Sequence, residues 1–441
     1  MATEIAPPNE PPEHLMPAPH SGRTLIDDCV HCGFCLPHCP TYVSWGEEMD
    51  SPRGRIVLMK GLAEGTLQYN DTVVEHFDRC LGCMACVTAC PSGVKYDVLI
   101  EDTRAKIEEH HRRGLADKLH RKMIFTLFPY PRRLKALLGL LFLYNRSGLQ
   151  WLVRKSGVLR ALPRRLAQLD ALMPPVTPHH LAASLPHLTL AKGMKRRRVA
   201  LLAGCVQRVF FPRVNEATLR VLSAEGCEVV LPEGQGCCGA LSMHAGRDEE
   251  AVRFGRSLIE SFEKENVDAV LVNAAGCGSH MKDLGRILAD DPKFAERAKK
   301  FSASVRDINE FLADLPPVAE RHPIEGRVAY HDACHLAHAQ RIRSAPRQLL
   351  RGIPGLELLE VPDGEQCCGS AGIYNLIEPA SSDEIGARKV KNVLSTRPDL
   401  LATANPGCTL QIQKILRESG RTLAAAHPIE ILDASISGTK L

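Results

Sequence analysis

The stretch "CVHCGFCLPHCP", from Cys29 to Pro40, places four cysteines within eleven positions and closes on a proline. The stretch "CLGCMACVTACP", from Cys80 to Pro91, repeats the arrangement. Both follow the pattern Cys-x2-Cys-x2-Cys-x3-Cys-Pro. The two sets of thiols therefore have the same spacing, and we expect them to have the same function.

Composition and length indicate that these thiols are reduced. The chain has 441 residues, a net charge of +4 and 17 cysteines, and its length suits about two or three domains. Residues 1–20 are rich in proline and lack the apolar segment of a signal peptide, so we predict a disordered tail. The best apolar run, Leu134 to Tyr144, is too short to span a bilayer. We therefore expect a cytoplasmic protein, where disulfides are rare.

Iron–sulfur clusters explain the two runs better than zinc, which remains the alternative. The spacing is that of bacterial ferredoxins with [4Fe–4S] clusters, whereas zinc sites usually use separated CxxC pairs and often histidine. In two-cluster ferredoxins the fourth cysteine of each run binds the other cluster. We therefore assign the first cluster to Cys29, Cys32, Cys35 and Cys90, and the second to Cys80, Cys83, Cys86 and Cys39.

Other side chains in the two runs are expected to surround the clusters. Apolar residues between the ligands should shield them from water: Val30, Phe34, Leu81 and Met84. His31 and His38 are interpreted as packing or hydrogen-bonding near a cluster, because the thiol count is already complete.

The segment between the runs predicts a short helix. Ser51 fits the N-cap, Pro52 fits the first helical position, and Gly65 fits the end. Arg53 and Arg55 either lie near a cluster and raise its potential or are solvated residues at a helix start. A helical insert favours an α-helical ferredoxin module.

A basic band follows. Residues 111–198 hold 19 Lys and Arg against two acidic residues, in short amphipathic helices broken at Pro129, Pro131 and Pro163. Such helices suit an anionic membrane surface or an acidic partner, and we place Leu134 to Leu166 on or near the inner-membrane surface. The alternative is a helical linker with its arginines in water. Nucleic acid suits the charge, but no binding module accompanies it, so we expect no nucleic acid partner.

From Arg198 onward the chain repeats itself at an offset of 129 to 131 residues. Strands alternate with helices in each half, which predicts βαβ units and a parallel sheet. Each half has a Cys-Cys-Gly turn, and we expect two pseudo-symmetric half-sites that converge on one redox or metal centre. The matched cysteines are Cys205, Cys237, Cys238 and Cys277 in the first half and Cys334, Cys367, Cys368 and Cys408 in the second. Inert buried thiols are the alternative.

The match to Gly-x-Gly-x-x-Gly at Gly234 to Gly239 is interpreted as a decoy. The second copy, "GEQCCG", breaks the glycine pattern, and a dinucleotide site needs a helix and a downstream acidic residue.

Taken together, "CVHCGFC", "PRGRI", "CPSGVKY" and "CCGSAG" resemble the iron–sulfur subunits of bacterial glycolate oxidase. The Cys-Cys-Gly repeats alone also resemble lactate-utilisation proteins, the C subunit of anaerobic glycerol-3-phosphate dehydrogenase and heterodisulfide reductase. The last family has a further cysteine after each Gly-Cys. Here "CGSH" follows at Cys277 and "CTLQ" at Cys408, which argues against disulfide-reductase chemistry and a noncubane cluster. His280, His335 and His338 are conceivable substitute ligands.

The resemblance implies that FAD and the 2-hydroxy acid site lie on sister subunits. FAD takes the hydride there, and this chain carries electrons toward a membrane acceptor such as quinone. No catalytic residue is then expected on this chain. Two other classes stay open: a catalytic thiol or cluster enzyme at the Cys-Cys-Gly repeats, and a scaffold whose clusters only hold the fold. Which 2-hydroxy acid is oxidised is not readable from this chain.

We therefore predict an α+β multidomain protein, with an N-terminal α-helical ferredoxin module, a helical connector and a C-terminal α/β domain of two pseudo-symmetric repeats. The predicted boundaries are residues 1–20 for the tail, 21–104 for the two-cluster module, 105–197 for the basic connector, 198–320 for the first repeat and 321–441 for the second.

Overall fold

The computed structural model describes residues 25–158 and 163–440, so the predicted tail at residues 1–20 lies outside the described residues. Every element between residues 25 and 110 is helical. Three short 3-10 segments cover Leu25–Asp28, Leu36–His38 and Glu48–Asp50, and the α-helices are α1 (Pro40–Trp45), α2 (Pro52–Ala63), α3 (Asp71–Asp78), α4 (Ala85–Ala89) and α5 (Tyr96–His110). The N-terminal module is therefore helical, as the sequence predicts.

Helix α2 begins where the sequence predicts. The Ser51 side chain accepts a hydrogen bond from the Gly54 backbone N–H at 3.0 Å, and Pro52 occupies the first turn. This bond satisfies one of the amides that a helix start leaves without an intrahelical partner. After the helix, Gly65 takes a φ of +71°. Val57, which lies among the apolar residues of this segment, faces solvent.

The connector forms helices broken by proline, as expected. They are α6 (Leu115–Leu127), α7 (Pro131–Arg146), α8 (Leu149–Lys155), α9 (Arg164–Leu172) and α10 (Pro178–Ala182). Leu134 and Leu138 of α7 are fully buried and pack against Val209 of the next domain. Among the described helices, none combines the length and apolar composition needed to cross a bilayer.

The first half of the C-terminal domain is a five-stranded sheet with helices. Its strands are β1 (Leu188–Thr189), β2 (Arg197–Leu202), β3 (Cys227–Val230), β4 (Ala269–Val272) and β5 (Val305–Asp307), in the order β1-β3-β2-β4-β5. Its helices are α11 (Val206–Phe210), α12 (Pro212–Ala224), α13 (Ala240–Met243), α14 (Asp248–Phe262), α15 (Ala275–Ile287), α16 (Ala295–Ser304) and α17 (Ile308–Asp314). The sheet is parallel except at its edge, where β1 runs antiparallel to β3.

The second half holds a four-stranded, fully parallel sheet. Its strands are β6 (Gly326–His331), β7 (Leu356–Glu360), β8 (Leu400–Thr403) and β9 (Ala424–Ala426), in the order β7-β6-β8-β9. A π-helical turn covers His335–Ala339, and the α-helices are α18 (Ser344–Arg351), α19 (Tyr374–Ile377), α20 (Pro379–Ser395), α21 (Pro406–Glu418) and α22 (Pro428–Ser437).

The two sheets pair their strands in matching registers. Val199 lies opposite Ala269 in the first sheet, and Val328 lies opposite Leu400 in the second, at the offsets read from the sequence. Side chains from both sheets also meet in one buried core. The pseudo-twofold relation between the halves stays a prediction.

Candidate metal centres

The two cysteine loops of the N-terminal module adopt the same backbone conformation. In the first loop His31 and Gly33 have positive φ angles of 54° and 84°, and in the second Gly82 and Met84 both have 62°. These residues stand at the same two places relative to their cysteines. Left-handed His31 and Met84 cost about 1 kcal/mol or more each, so the surrounding structure must hold this loop shape in place.

The structure brings Cys39 of the first run to the first three cysteines of the second. Cys39, Cys80, Cys83 and Cys86 are all buried and line one cavity together with Arg55 and Tyr96. The Gly82 backbone N–H donates to Cys80 Sγ at 3.4 Å, and Tyr96 Oη lies 3.6 Å from the same sulfur. A buried cavity walled by four thiols suits the ligand set of a [4Fe–4S] cluster.

Arg55 supplies positive charge to this buried group. Burial alone would raise the pKa of the Cys80 thiol, but the charges of Arg55 and Arg104, with the Gly82 N–H and Tyr96, hold this pKa below its usual value. Burial raises the pKa of the Cys83 thiol well above its usual value. Metal binding requires the thiolate form, so the arginine favours the charge state that a cluster needs.

The other four cysteines of the runs lie nearer the surface. Cys32 is exposed, while Cys29, Cys35 and Cys90 are partly buried at the edge of the N-terminal core. Burial raises the pKa of the Cys35 thiol to about 11. Arg53 reaches this loop, because its Nη1 donates to the His31 carbonyl at 3.1 Å.

The prediction that apolar loop residues are shielded from water is confirmed in one loop and wrong in the other. Leu81 and Met84 are 6% exposed, as predicted. The prediction for Val30 and Phe34 is wrong, because they are 66% and 65% exposed. Leu81 of the second loop packs against the C-terminal domain, whereas Val30 and Phe34 of the first loop face solvent, as His31 and His38 do.

In the first C-terminal half the four predicted cysteines form one group. Cys205 Sγ lies 3.5 Å from Cys237 Sγ, and Cys238 accepts hydrogen bonds from the Cys237 and Cys277 thiols, which hold its pKa well below the usual value. The Cys-Cys pair sits in a turn closed by Gly239, whose φ is +99° and whose N–H donates to Cys237 Sγ at 3.4 Å. This turn directs both neighbouring thiols into the same group.

The second half repeats this grouping. Cys334 Sγ lies 4.0 Å from Cys367 Sγ, and Cys368 interacts with Cys408. Asn405 Nδ2 donates to Cys408 Sγ at 3.5 Å.

The expectation of one shared centre stays a prediction. Among the described cysteines of the C-terminal domain, the sulfur–sulfur contacts lie within one half or the other. The two halves also meet directly, because the Ala275 N–H donates to the Ala404 carbonyl at 3.2 Å, shortly before Cys277 and Cys408 in the sequence. Each half places its cysteines on loops that follow neighbouring parallel strands, and the carboxyl ends of such strands meet at one edge of their own sheet. Cys277 and Cys408 also lie in the first turns of helices α15 and α21, and not at strand ends.

Of the three histidines named as substitute ligands, two lie near thiols. His335 Nδ1 is 3.5 Å from Cys334 Sγ, and His280 is buried close enough to Cys238 to lower its pKa. His338 instead bonds to Thr88 of α4, at 2.8 Å, and to the Glu365 carbonyl.

Sequence reasoning missed a fourth histidine. His331 ends strand β6, and its ring lies within 4.8 Å of the sulfurs of Cys368 and Cys408. A comparison of the two halves could have found it. The first half has the apolar residue Leu202 at the corresponding buried position, so a histidine at position 331 is the exception.

The N-terminal module and the second half meet at their cysteines. Cys83 packs in one buried cluster with Cys334 and Cys367, together with Leu81 and Tyr374. The second ferredoxin-type loop therefore reaches directly to the thiols of the C-terminal domain.

Comparison with known proteins agrees with this architecture. Family models match a 4Fe-4S dicluster domain at residues 25–94, the linker region of the glycolate oxidase iron-sulfur subunit at 116–173, and a cysteine-rich domain twice, at 199–282 and 328–413. The probable glycolate oxidase iron-sulfur subunit of Bacillus subtilis (strain 168) is 40% identical over 411 residues, covering 92% of this chain and 93% of the relative. This chain belongs to the glycolate oxidase iron–sulfur subunit family.

The glycolate oxidase iron-sulfur subunit of Escherichia coli (strain K12) is 34% identical over 423 residues, which are 94% of this chain and 95% of that protein. Lactate utilization protein A of Shouchella clausii is 30% identical over 237 residues, which are 54% of this chain and 98% of that protein. The glycolate oxidase subunits thus account for nearly the whole chain, and iron–sulfur clusters are its cofactors.

Proposed function

We propose that this chain is the electron-transfer subunit of a flavin-dependent glycolate (2-hydroxy acid) oxidase, which passes electrons from FAD on sister subunits toward a membrane acceptor such as quinone. One observation carries the proposal: Cys83 of the second ferredoxin-type loop packs against Cys334 and Cys367. Cysteines that pack in one buried cluster across a domain boundary suit a continuous route for electrons.

The proposed ligand sets are those of crossed ferredoxin runs. Cys29, Cys32, Cys35 and Cys90 hold one [4Fe–4S] cluster, and Cys39, Cys80, Cys83 and Cys86 hold the other. The cavity that the second set lines supports this assignment. When bound, such clusters supply transfer of one electron at a time.

The protein's own residues give the route a direction in space. The Cys32 loop is at the surface, where a flavoprotein can approach it. The Cys80 loop is buried, with Arg55 and a backbone N–H offsetting the negative charge of its thiolates. The second-half thiols lie beyond it. Oxidation of a 2-hydroxy acid to a 2-oxo acid releases two electrons and two protons, so the flavin on the partner accepts the pair and this chain conducts the electrons singly.

The proposal includes contact with the inner face of a membrane. Exposed apolar side chains cluster on α7 and α8: Leu140, Leu143, Leu149, Trp151 and Leu152. Basic residues flank them, and Lys155 Nζ lies 4.6 Å from the Trp151 ring centroid. This combination supports a cytoplasmic protein bound peripherally at an anionic bilayer.

The first alternative concerns the acid that donates electrons to the flavin of the partner subunit. The partial match to lactate utilization protein A favours D-lactate as a second candidate for the acid oxidised on the partner subunit. A glycerol-3-phosphate dehydrogenase subunit and a heterodisulfide-reductase-like enzyme are the remaining alternatives.

The test uses the anaerobically purified chain with and without its flavoprotein partners. Addition of glycolate should reduce the clusters, followed by EPR, only when the flavoprotein is present, and quinone reduction should follow. Turnover without a flavoprotein would make this chain itself the enzyme. Clusters that no donor reduces would make it a scaffold.

A further inference from the structure

His331 is a buried imidazole with nothing to bond to. It is fully buried at the end of β6, and neither ring nitrogen has a hydrogen-bond partner among the described residues. A buried polar group left unpaired costs about 1–3 kcal/mol, and such groups need an explanation. A purely structural residue would not require an imidazole here, since the first half uses Leu202 at the same position.

Two thiols face this ring. The sulfurs of Cys368 and Cys408 and a ring nitrogen of His331 all lie within 4.8 Å of one another, and all three residues are buried. Two sulfur donors and one nitrogen donor at this spacing suit the coordination of a transition metal. A bound metal would give the orphaned ring its partner.

The charges around the ring suit ligation. Lys389 lies close to the His331 ring and to the Cys368 thiol. Lys389 is itself buried, and its Nζ donates to the carbonyls of Asp363 and Gly364. The ammonium group thus stays fixed beside the thiols and offsets their negative charge.

The two halves therefore differ in chemistry. The first half offers four thiols, whereas the second adds an imidazole at the strand end. When histidine replaces a cysteine ligand of an iron–sulfur centre, a neutral donor replaces an anionic one and the reduction potential rises. The second half is also the one whose cysteines pack with Cys83 of the ferredoxin module.

We propose that His331 is a nitrogen ligand of an iron–sulfur centre that Cys368 and Cys408 help to hold, and that it makes this centre the higher-potential acceptor of electrons from the N-terminal module. The inference rests on the proposed electron-transfer function and adds to it the identity of a ligand and the destination of the electrons.

Pulsed EPR on the reduced, anaerobically purified full chain tests the ligand directly. We expect a nitrogen-14 coupling typical of a bound imidazole in one centre. His331→Cys should keep that centre, because it supplies a thiolate, but should abolish the coupling and shift the midpoint potential to a lower value. His331→Leu, which copies the first half, should abolish the coupling as well. His120→Leu, which removes a buried histidine of connector helix α6 outside the thiol groups, should leave the coupling unchanged.

Three results would overturn the inference. They are wild-type protein without the coupling, a coupling that survives in His331→Cys, and zinc in place of iron at this site by metal analysis. If His331→Leu fails to fold, the wild-type spectrum and His331→Cys still decide. The proposed function fails separately, when a flavoprotein and glycolate do not reduce the ferredoxin-type clusters of the wild-type chain.

Discussion

Helix α2 places one arginine beside each of the two N-terminal cysteine groups. Arg55 lines the cavity of the buried group, and Arg53 bonds to the loop of the other. Arg55 is 1% exposed and donates to Asp50 Oδ1 at 3.2 Å, while Arg53 forms a partly exposed pair with Glu48 at 2.6 Å. Removing one partner of a buried pair costs about 3–5 kcal/mol, whereas an exposed pair contributes about 1 kcal/mol or less. Arg55 is therefore both a structural residue and a source of charge beside the buried thiols.

A residue-scale prediction concerns the crossed ligand sets. Cys39→Ser and Cys80→Ser should each remove the same cluster, because their sulfurs line one cavity, and Cys90→Ser should remove the other. Each variant should lose about four iron atoms. Iron and acid-labile sulfide analysis of the anaerobically purified chain, together with EPR, measures the loss.

The control is Cys227→Ser, because Cys227 is buried in strand β3 outside both thiol sets. This variant should keep its full iron content. If Cys90→Ser, and not Cys39→Ser, lost the EPR signal that Cys80→Ser removes, the fourth cysteine of each run would bind its own cluster, and the crossed assignment would be wrong.

At the scale of elements, helices α7 and α8 have two unlike faces. Leu134 and Leu138 anchor α7 in the protein core, while Leu143 and Trp151 are both 63% exposed. Other basic residues of the connector are paired inside the protein, as Arg113 is with Asp78 at 2.7 Å. The exposed face of α7 and α8 thus combines apolar side chains with the positive charge of the basic band.

We expect the holoprotein to sediment with vesicles that contain anionic lipid, and to be released by salt, because contacts of basic residues are worth about 1 kcal/mol each near such a surface and are screened. The double variant Leu143→Ser/Trp151→Ser should bind several-fold more weakly. Val318→Ser, an exposed apolar residue elsewhere, should bind as the wild type does. If binding does not change with anionic lipid content or with salt, the membrane-contact hypothesis is wrong and the connector is a helical linker.

At the scale of the whole molecule, the N-terminal module docks on the first C-terminal half through close backbone contact. A Cβ at Gly246 would lie 2.4 Å from the Arg104 carbonyl oxygen, and the φ of Gly246 is +72°. Arg104 Nη1 donates to the His244 carbonyl at 2.9 Å, and Arg286 pairs with Glu101 at 2.9 Å across the same boundary. The absence of a side chain at Gly246 allows helix α5 to reach the sheet domain.

Gly246→Ala should weaken this docking. Gly420→Ala is the matched control, because Gly420 also has a positive φ, +65°, but a Cβ there would meet nothing within 4 Å. Both variants should lose about 1–2 kcal/mol from the left-handed backbone, and Gly246→Ala should lose more. Thermal unfolding and hydrogen exchange of the α5 amides measure the difference. Equal midpoints and equal exchange in the two variants would show that this contact does not hold the modules together.

The sequence by itself determined the parts of this protein that depend on local spacing. The cysteine runs, the Ser51 cap and the proline breaks of the connector depend on backbone geometry over a few residues, and each appears in the structure where it was expected. The matched offsets of the two halves likewise predicted strands that pair in corresponding registers.

Tertiary structure alone decided which residues meet and which face water. Val30 and Leu81 occupy equivalent places in two like loops, yet only Leu81 is buried, because Leu81 packs against residues of the second half whereas Val30 faces solvent. The cysteines of each half group at the edge of their own sheet, and His331 joins those of the second half because neighbouring strands bring residues some 37 to 77 positions apart to one edge. Burial and contact between distant segments depend on how whole elements pack, and no local pattern encodes that packing.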